Sequence, residues 1–186
     1  MIKNRKKILA ISGSTRKEST NQSILKAIAR LYSENLEVEM YQQLATLPHF
    51  NPDLDGQEVE TSIVTLRNAI QQADGVIICT PEYVFSLPGA LKNALEWMVS
   101  TTVFSDKPVA LITASGLGGK AHESLLLIMQ TLQAKIGKDS TLLIQGASSK
   151  VNKTGDIVDK NTAEEVDLLI YSLLETINES LATDTR

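Results

Sequence analysis

The sequence is poor in the side chains that most often carry chemistry. It contains one Cys, two His and one Trp, and aromatic residues make up only 4% of its 186 residues. A single Cys excludes an intrachain disulfide framework and any zinc site that needs several Cys ligands. If the protein is an enzyme, we expect a bound molecule rather than a side chain to supply the reactive atoms.

Strong positive charge and long apolar runs are also missing. The formal net charge is -4, which argues against non-specific binding to nucleic acid or to an anionic membrane. No apolar run approaches the roughly 20 residues of a membrane span. The apolar run 8–11 that follows the basic segment 1–7 is too short for a signal peptide. We therefore expect a cytoplasmic protein without nucleic-acid or membrane partners.

The overall composition is that of an ordinary globular chain. Hydrophobic residues make up 42% and charged residues 22%, with ten Gly and five Pro. No repeat, low-complexity tract or Gly/Ser linker interrupts the chain. Since about 100 to 200 residues form one domain, we expect a single domain over residues 1–186.

Short apolar runs alternate with stretches of helical period. The runs are typical of strands and lie at 8–11, 36–40, 76–79, 109–112 and 142–144. Helical spacing predicts helices over 24–31, 63–73, 88–98, 125–136 and 162–177, the last starting at a capping box of Thr162 and Glu165. Segment 44–56 is predicted to be a loop. Such alternation indicates an α/β fold whose parallel sheet is covered on both faces.

In such sheets ligands bind beyond the carboxyl ends of the strands. The loop after the first run reads GSTRKESTN over 13–21 and precedes a predicted helix. Its hydroxyls, its backbone N–H groups and Arg16 favour a phosphate at the helix N-terminus. It is neither a Walker A loop nor a G-x-G-x-x-G fingerprint. The alternative is that Ser19, Thr20 or Asn21 merely caps the helix.

The loops after the third and fourth strands are the other candidates. The first of these carries Tyr83 and Phe85 between two prolines and is suited to line a flat aromatic ligand, or else packs on its own helix. The second has three glycines within 116–119, which allow close backbone approach or simply form a flexible turn. Cys79 ends a buried run, and we expect it to be a core residue rather than a nucleophile.

Taken together, the three loops resemble one family. The segments GSTRKESTN, TPEYVFSLPGALKNALEW and TASGLGG are similar to those of the NADPH-dependent FMN reductases, a family that includes quinone, chromate and azo-compound reductases. The resemblance implies a flavodoxin-like three-layer sandwich with a five-stranded parallel sheet of order 2-1-3-4-5. It also implies FMN as the cofactor and NADPH or NADH as the electron donor.

The resemblance further implies which residues hold the flavin. The loop after the first strand matches the phosphate site, the loop after the third borders the isoalloxazine, and the loop after the fourth lies near its pyrimidine side. The implied cofactor-binding residues are Ser14, Arg16, Ser19, Thr20, Asn21, Pro81, Glu82, Tyr83, Val84, Ser115 and Gly116. No catalytic side chain and no metal ligand is expected, because flavin N5 carries the chemistry. Asn93 and Trp97 belong to the motif, and we expect them to support the loop.

Two positions depart from the family pattern. Val84 stands where many relatives have Asn, so a polar contact to the flavin is lost or taken over by the backbone. Ala121 stands where many relatives have Arg, which alters how a nicotinamide cofactor or a neighbouring subunit is contacted. We expect the adjacent His122 to be exposed to solvent.

The function implied by the resemblance is that of an FMN-dependent NAD(P)H oxidoreductase. It would transfer a hydride through flavin N5 to a quinone, an azo compound, a metal oxyanion or free flavin. The alternatives are a flavodoxin-like FMN electron carrier reduced by a protein partner, and a sensing module with an empty site. Arg16 argues against the carrier, since such carriers usually have a Thr-rich phosphate loop without arginine.

Association with a second copy is a further expectation. The run 125–129 is apolar around its whole predicted helix and must be covered on every side. Either a second subunit or the C-terminal helix covers the side that faces away from the sheet. The resemblance implies a homodimer or homotetramer with the flavin sites at the subunit boundary.

Overall fold

One parallel sheet organises the chain. A computed structural model describes residues 5–56, 59–152 and 154–184, so that residues 1–4 of the basic N-terminal segment lie outside the described part. The sheet has five strands in the order β2-β1-β3-β4-β5, as expected. The strands are β1 Lys6–Ser12, β2 Leu36–Tyr41, β3 Gly75–Thr80, β4 Pro108–Ser115 and β5 Lys135–Gln145.

Helices cover both faces of the sheet. They are α1 Thr20–Leu31, α2 Thr61–Gln72, α3 Gly89–Glu96, α4 Gly119–Thr131, α5 Ala147–Lys150 and α6 Lys160–Asp184. Apolar side chains of α1 and α6 form one core with one face of the strands. Those of α2, α3 and α4 form a second core on the opposite face. Within the described residues no helix is both long and apolar enough to cross a membrane.

Burial follows strand position. All six residues of β3, in the middle of the sheet, are buried, because helices cover both of its faces. The edge strand β2 alternates instead, with exposed Glu37 and Glu39 between partly or fully buried neighbours. Segment 44–56 is a loop with two short 3₁₀ turns, Leu44–Thr46 and Pro52–Leu54.

The predicted bounds of the fourth helix and the predicted start of the last helix are wrong. The fourth helix is α4, Gly119–Thr131, and not 125–136, because Gln133 adopts a left-handed backbone (φ 61°) that ends the helix. Ile136 therefore lies in β5, which is longer than predicted. At α6 the cap is Asp159, whose carboxylate accepts hydrogen bonds from the Thr162 N–H at 2.9 Å and the Thr162 hydroxyl at 2.6 Å. The predicted capping box at Thr162 does not form.

The C-terminal helix does not cover the outer side of α4. Helix α6 lies against β4 and β5 on the face that it shares with α1. Leu125 and Met129 of α4 are buried on the opposite face, whereas Leu127 is 65% exposed. The alternative in which the C-terminal helix covers the outer side of α4 is therefore wrong.

Candidate functional site

The carboxyl ends of β1, β3 and β4 bring the three predicted loops together. These strands are direct neighbours in the sheet. The N–H of Gly13 donates to the carbonyl of Cys79 at 2.8 Å, which joins the start of one loop to the end of β3. A Cβ atom on Gly13 would overlap the Thr80 side chain, so only glycine fits at this close approach. The site predicted from the sequence thus lies at one edge of the sheet.

In the loop between β1 and α1, two backbone N–H groups donate to serine hydroxyls of the same segment. The Ser14 N–H donates to Ser12 Oγ at 3.3 Å, and the Arg16 N–H donates to Ser14 Oγ at 3.4 Å. Ser14 and Ser19 are buried, whereas Arg16 and Lys17 are exposed. The loop therefore presents a cation beside hydroxyls that are held close to the sheet.

The N-terminus of α1 is left open to an anion. Ser19 is the N-cap residue, yet its side chain makes no capping hydrogen bond, and the first turn contains no acidic residue. The first N–H groups of a helix have no partner within the helix, and the helix dipole favours negative charge there. A phosphate group fits these donors together with Arg16. Ser14, Ser19 and Thr20 lie in this loop and first turn, as predicted.

Asn21 has a role that spacing did not reveal. Its side chain is buried, and Nδ2 donates to the carbonyl of Ala114 at 3.2 Å. Its Oδ1 accepts from the thiol of Cys79 at 3.2 Å. Burial raises the pKa of Cys79, so the thiol stays protonated and able to donate. The Asn21 side chain thus ties α1 to β3 and β4, and only its backbone N–H remains available to a phosphate.

The loop between β3 and α3 is tied to α4 by Glu82. The carboxylate accepts from the backbone N–H groups of Lys120 at 2.8 Å, Ala121 at 2.9 Å and Gly118 at 3.3 Å. These bonds, that from Ala121 foremost, lower the pKa of Glu82 from its usual value. Glu82 therefore fixes the loop, and its carboxylate already occupies the N-terminus of α4.

A strained turn forms the tip of the same loop. Tyr83 and Ser86 exchange two backbone hydrogen bonds of 3.0 Å, and the two residues between them have left-handed backbones, with φ 50° at Val84 and φ 55° at Phe85. This is the pattern of a type I′ turn, which normally takes Asn or Gly. A branched side chain with positive φ costs about 1 to 2 kcal/mol. Asn, which the family resemblance implies at position 84 in many relatives, is compatible with this left-handed backbone. That expected residue was the sequence signal that could have indicated the turn.

The loop between β4 and α4 completes the edge. Ser115 is half-buried and Gly116 exposed, and the Gly116 carbonyl accepts from the Gly146 N–H at 3.1 Å. Gly118 has φ 88°, and a Cβ atom there would lie 2.9 Å from Leu143 Cδ1. Glycine is required at this position for both reasons.

His122 is not exposed, contrary to expectation. Its Nδ1 lies 3.0 Å from the hydroxyl of Thr113, a buried residue near the end of β4. Burial lowers the pKa of His122, which favours the neutral ring. The side chain therefore packs under the loop between β4 and α4 and helps to position it.

Asn93 and Trp97 act as supports, although of a different segment than expected. Asn93 Nδ2 and Trp97 Nε1 each donate to the carbonyl of Pro48 at 2.9 Å, and Asn93 Oδ1 accepts from the Phe50 N–H at 2.7 Å. The rings of Phe50 and Trp97 pack edge to face, 5.1 Å apart. The motif thus fixes residues 48–50 against α3.

Asp55 of segment 44–56 also has a structural role. Asp55 accepts from Arg67 at 2.7 Å and from the hydroxyl of Ser100 at 2.5 Å. Within residues 5–56, 59–152 and 154–184 no group of three or more His, Cys, Asp or Glu side chains is arranged to hold a metal ion.

Known proteins match this chain over most of its length. NADH:(hydroxy)cinnamate reductase subunit CrdA of Vibrio ruber is 34% identical over 165 residues, which cover 86% of this chain and 81% of that protein. Quinone reductase of Escherichia coli K12 is 30% identical over 166 residues, with 86% and 88% covered. The solved structure of FerB, a flavoenzyme NAD(P)H:(acceptor) oxidoreductase from Paracoccus denitrificans, superposes with a TM-score of 0.82 at 26% identity, covering 94% of this chain and 98% of that one.

The family is shown by a match to its sequence model. The model described as NADPH-dependent FMN reductase matches residues 6–148. This range includes all three loops at the carboxyl edge of the sheet, and the sheet order is that of the flavodoxin-like fold. The chain belongs to the NADPH-dependent FMN reductase family.

Proposed function

We propose that the protein is an FMN-dependent NAD(P)H oxidoreductase that reduces small-molecule acceptors, with residues 1–186 acting as one flavin-binding domain. The observation that carries the proposal is the open N-terminus of α1 beside Arg16, at the carboxyl edge of β1. When bound there, FMN supplies an N5 atom that accepts a hydride from NAD(P)H and passes it to an acceptor. The names of the relatives, which include a quinone reductase and an NADPH azoreductase, support this reaction class.

In this proposal the chain binds and orients the cofactor and takes no covalent part. The hydroxyls of Ser14, Ser19 and Thr20, the backbone N–H of Asn21 and the guanidinium of Arg16 hold the phosphate. Residues of the two other loops border the ring, namely Pro81, Glu82, Tyr83, Val84, Ser115 and Gly116. Because Glu82 is held by three N–H groups at the start of α4, we propose that these two loops present one fixed surface to the ring.

The acceptor takes the place that NAD(P)H leaves, so that the two substrates alternate in one position. Quinones, azo compounds, metal oxyanions and free flavin are the proposed classes. We further propose a homodimer or homotetramer, supported by the exposed Leu127 on α4, and a cytoplasmic location, supported by the single Cys. Sedimentation velocity at micromolar concentration tests the first, and a 20 kDa species would reject it.

Anaerobic flavin bleaching tests the proposed reaction. The purified protein is mixed with FMN, separated from free flavin, and titrated with NADPH and with NADH while the flavin absorbance is followed. We expect the visible flavin band to bleach without any added protein and to return when a quinone is added. Bound flavin that stays oxidised would instead indicate an electron carrier. A protein that retains no flavin would reject both functions.

A further inference from the structure

The tip of the loop between β3 and α3 is apolar and unusually exposed. Val84 is 95% and Phe85 71% exposed, the two highest values among the large hydrophobic side chains of the described residues. Leu117, on the neighbouring loop, is exposed as well. Exposed apolar groups that cluster at a ligand-binding edge are typical of an interaction site rather than of an ordinary surface.

The backbone of the tip is held in a conformation that its residues disfavour. Val84 and Phe85 both have positive φ, whereas the other non-glycine residues with positive φ among the described ones are Asp106 and Gln133. The conformation is imposed by the paired bonds of Tyr83 and Ser86 and by the anchored carboxylate of Glu82. Strain of this kind persists where surrounding structure enforces it, and it is concentrated at functional sites. Since both side chains are exposed, packing within the described residues does not explain why Val and Phe, rather than Asn and Gly, occupy the turn.

The charges near the tip are already paired. Glu82 is bound by the N–H groups at the start of α4, and Lys120 forms an ion pair with Glu123 at 2.8 Å. Arg16 and Lys17 belong to the loop on the other side of β3, beside β1. Among the described residues, a small oxyanion therefore finds no unpaired cation at this tip, whereas an uncharged aromatic ring finds apolar surface.

We propose that Val84 and Phe85 are specificity-determining residues, whose outward side chains form an apolar edge of the acceptor position and favour uncharged aromatic acceptors over metal oxyanions. The inference rests on the proposed function, because an acceptor that takes a hydride from the flavin must lie next to the loop that borders the ring. It narrows the acceptor classes given above to quinones and azo compounds without charged substituents.

The test compares two acceptors in the variant Phe85→Asn, because Val84 is also among the residues proposed to border the flavin ring. Asn tolerates the left-handed backbone, so the turn is kept while its largest apolar side chain is removed. The acceptors are 1,4-naphthoquinone and ferricyanide. Ferricyanide is a charged ion without an aromatic ring, and each NADPH reduces two ferricyanide ions. The matched control is Leu168→Gln, which removes an equally apolar, 60% exposed side chain from α6 on the opposite face of the sheet.

We expect KM for naphthoquinone to rise about tenfold in Phe85→Asn, in line with the loss of apolar contacts at an open pocket edge, with kcat nearly unchanged. KM for ferricyanide, the rate of anaerobic flavin reduction at saturating NADPH, and all values of the control stay within about twofold of wild type. The thermal midpoint of Val84→Asn alone rises, because strain is relieved.

Three results would overturn the inference. They are an equal change in KM for both acceptors, a thermal midpoint that falls in Val84→Asn, and an altered sedimentation coefficient in Phe85→Asn, which would assign the tip to a subunit contact. If the wild-type protein oxidises NADPH with neither acceptor, the proposed function itself fails. That outcome can be distinguished from the three results above, because it is measured on the wild-type protein alone.

Discussion

The N-termini of α1 and α4 lie at the same edge of the sheet, but only the N-terminus of α4 is capped by a side chain of the chain itself. At α4 the Glu82 carboxylate accepts from three backbone N–H groups and so supplies the negative charge that a helix start favours. At α1 no side chain caps the helix and the first turn has no acidic residue. The chain satisfies one helix start with its own carboxylate, whereas no side chain caps the other.

This difference supports the proposal that the N-terminus of α1, and not that of α4, binds the phosphate. A helix N-terminus near a predicted ligand is informative only when its N–H groups have no partner within the protein. The loop that leads to α1 contains buried hydroxyls and an exposed Arg16, which are side chains of the kind that bind a phosphate. The loop that precedes α4 is instead bonded to the Glu82 carboxylate of the neighbouring loop, and these bonds have a structural role.

The largest expected effect comes from making α1 resemble α4. In Thr20→Glu a carboxylate is placed in the first turn, where it competes with a phosphate for the same donors. We expect FMN affinity to fall about a hundredfold, since each hydrogen bond to a charged group contributes roughly 1.5 to 3 kcal/mol. Fluorescence titration of the apoprotein with FMN measures the change.

The isosteric variant Thr20→Gln is the control for this substitution and should lose much less affinity. Folding stability without FMN should stay the same or rise by up to about 1 kcal/mol in Thr20→Glu, because an acidic residue suits a helix start. Equal FMN affinities in the Glu and Gln variants would mean that the phosphate does not bind at α1.

The next largest effect tests how α1 is held at the sheet. Asn21→Ala removes both hydrogen bonds of the buried amide and leaves the Ala114 carbonyl without this partner. We expect a loss of about 2 kcal/mol of unfolding free energy, the cost of an unsatisfied buried polar group. Urea unfolding measures it, and Asn178→Ala, at an exposed position of α6, should change stability by less than about 0.5 kcal/mol. A similar loss in both variants would contradict the role of Asn21.

A smaller effect separates the charge of the phosphate loop from its backbone donors. Arg16→Gln should lower FMN affinity about tenfold while leaving riboflavin affinity unchanged, because riboflavin has no phosphate. Arg16→Lys should retain part of the FMN affinity, since it keeps the charge but not the planar donor set. If riboflavin binding falls as much as FMN binding, Arg16 contacts another part of the cofactor.

The smallest expected effect concerns the satisfied helix start. The pKa of Glu82 is lowered, chiefly by the Ala121 N–H, so its ionised form stabilises the fold above the usual pKa of 4.5 and this contribution is lost as the pH falls through the lowered value. Glu82→Gln should therefore unfold at a lower temperature than wild type at pH 7. The difference should shrink as the pH falls below 4.5 in a series of thermal melts. A difference that does not depend on pH would rule out the ionised form as the cause.

Apolar periodicity was sufficient to predict the strands and most helices. β3 is visible because its position in the middle of a covered sheet demands an unbroken apolar run. The end of α4 was missed because Leu132, Ala134 and Ile136 continue an apolar pattern past the residue where the backbone reverses. That reversal depends on the left-handed backbone of Gln133, which the identity of the residue does not predict.

The meeting of the three loops could be predicted from the sequence, but the hydrogen bonds between them could not. The rule that ligands bind at the carboxyl ends of parallel strands selected three loops that the structure brings together at one edge of the sheet. Asn21 and Ala114 are 93 positions apart, and Glu82 and Gly118 are 36 apart, so their bonds follow only from the folded geometry. For the same reason His122, expected in solvent, was not recognised as a partner of Thr113.

The affinity of the wild-type apoprotein for FMN relative to riboflavin tests the account most directly. The two ligands share the ring and the ribityl chain and differ only in the phosphate that the open start of α1 is proposed to bind. We predict that FMN binds about a hundredfold more tightly, as expected for two or more charge-assisted hydrogen bonds. Equal dissociation constants would contradict the assignment of α1 as the phosphate site.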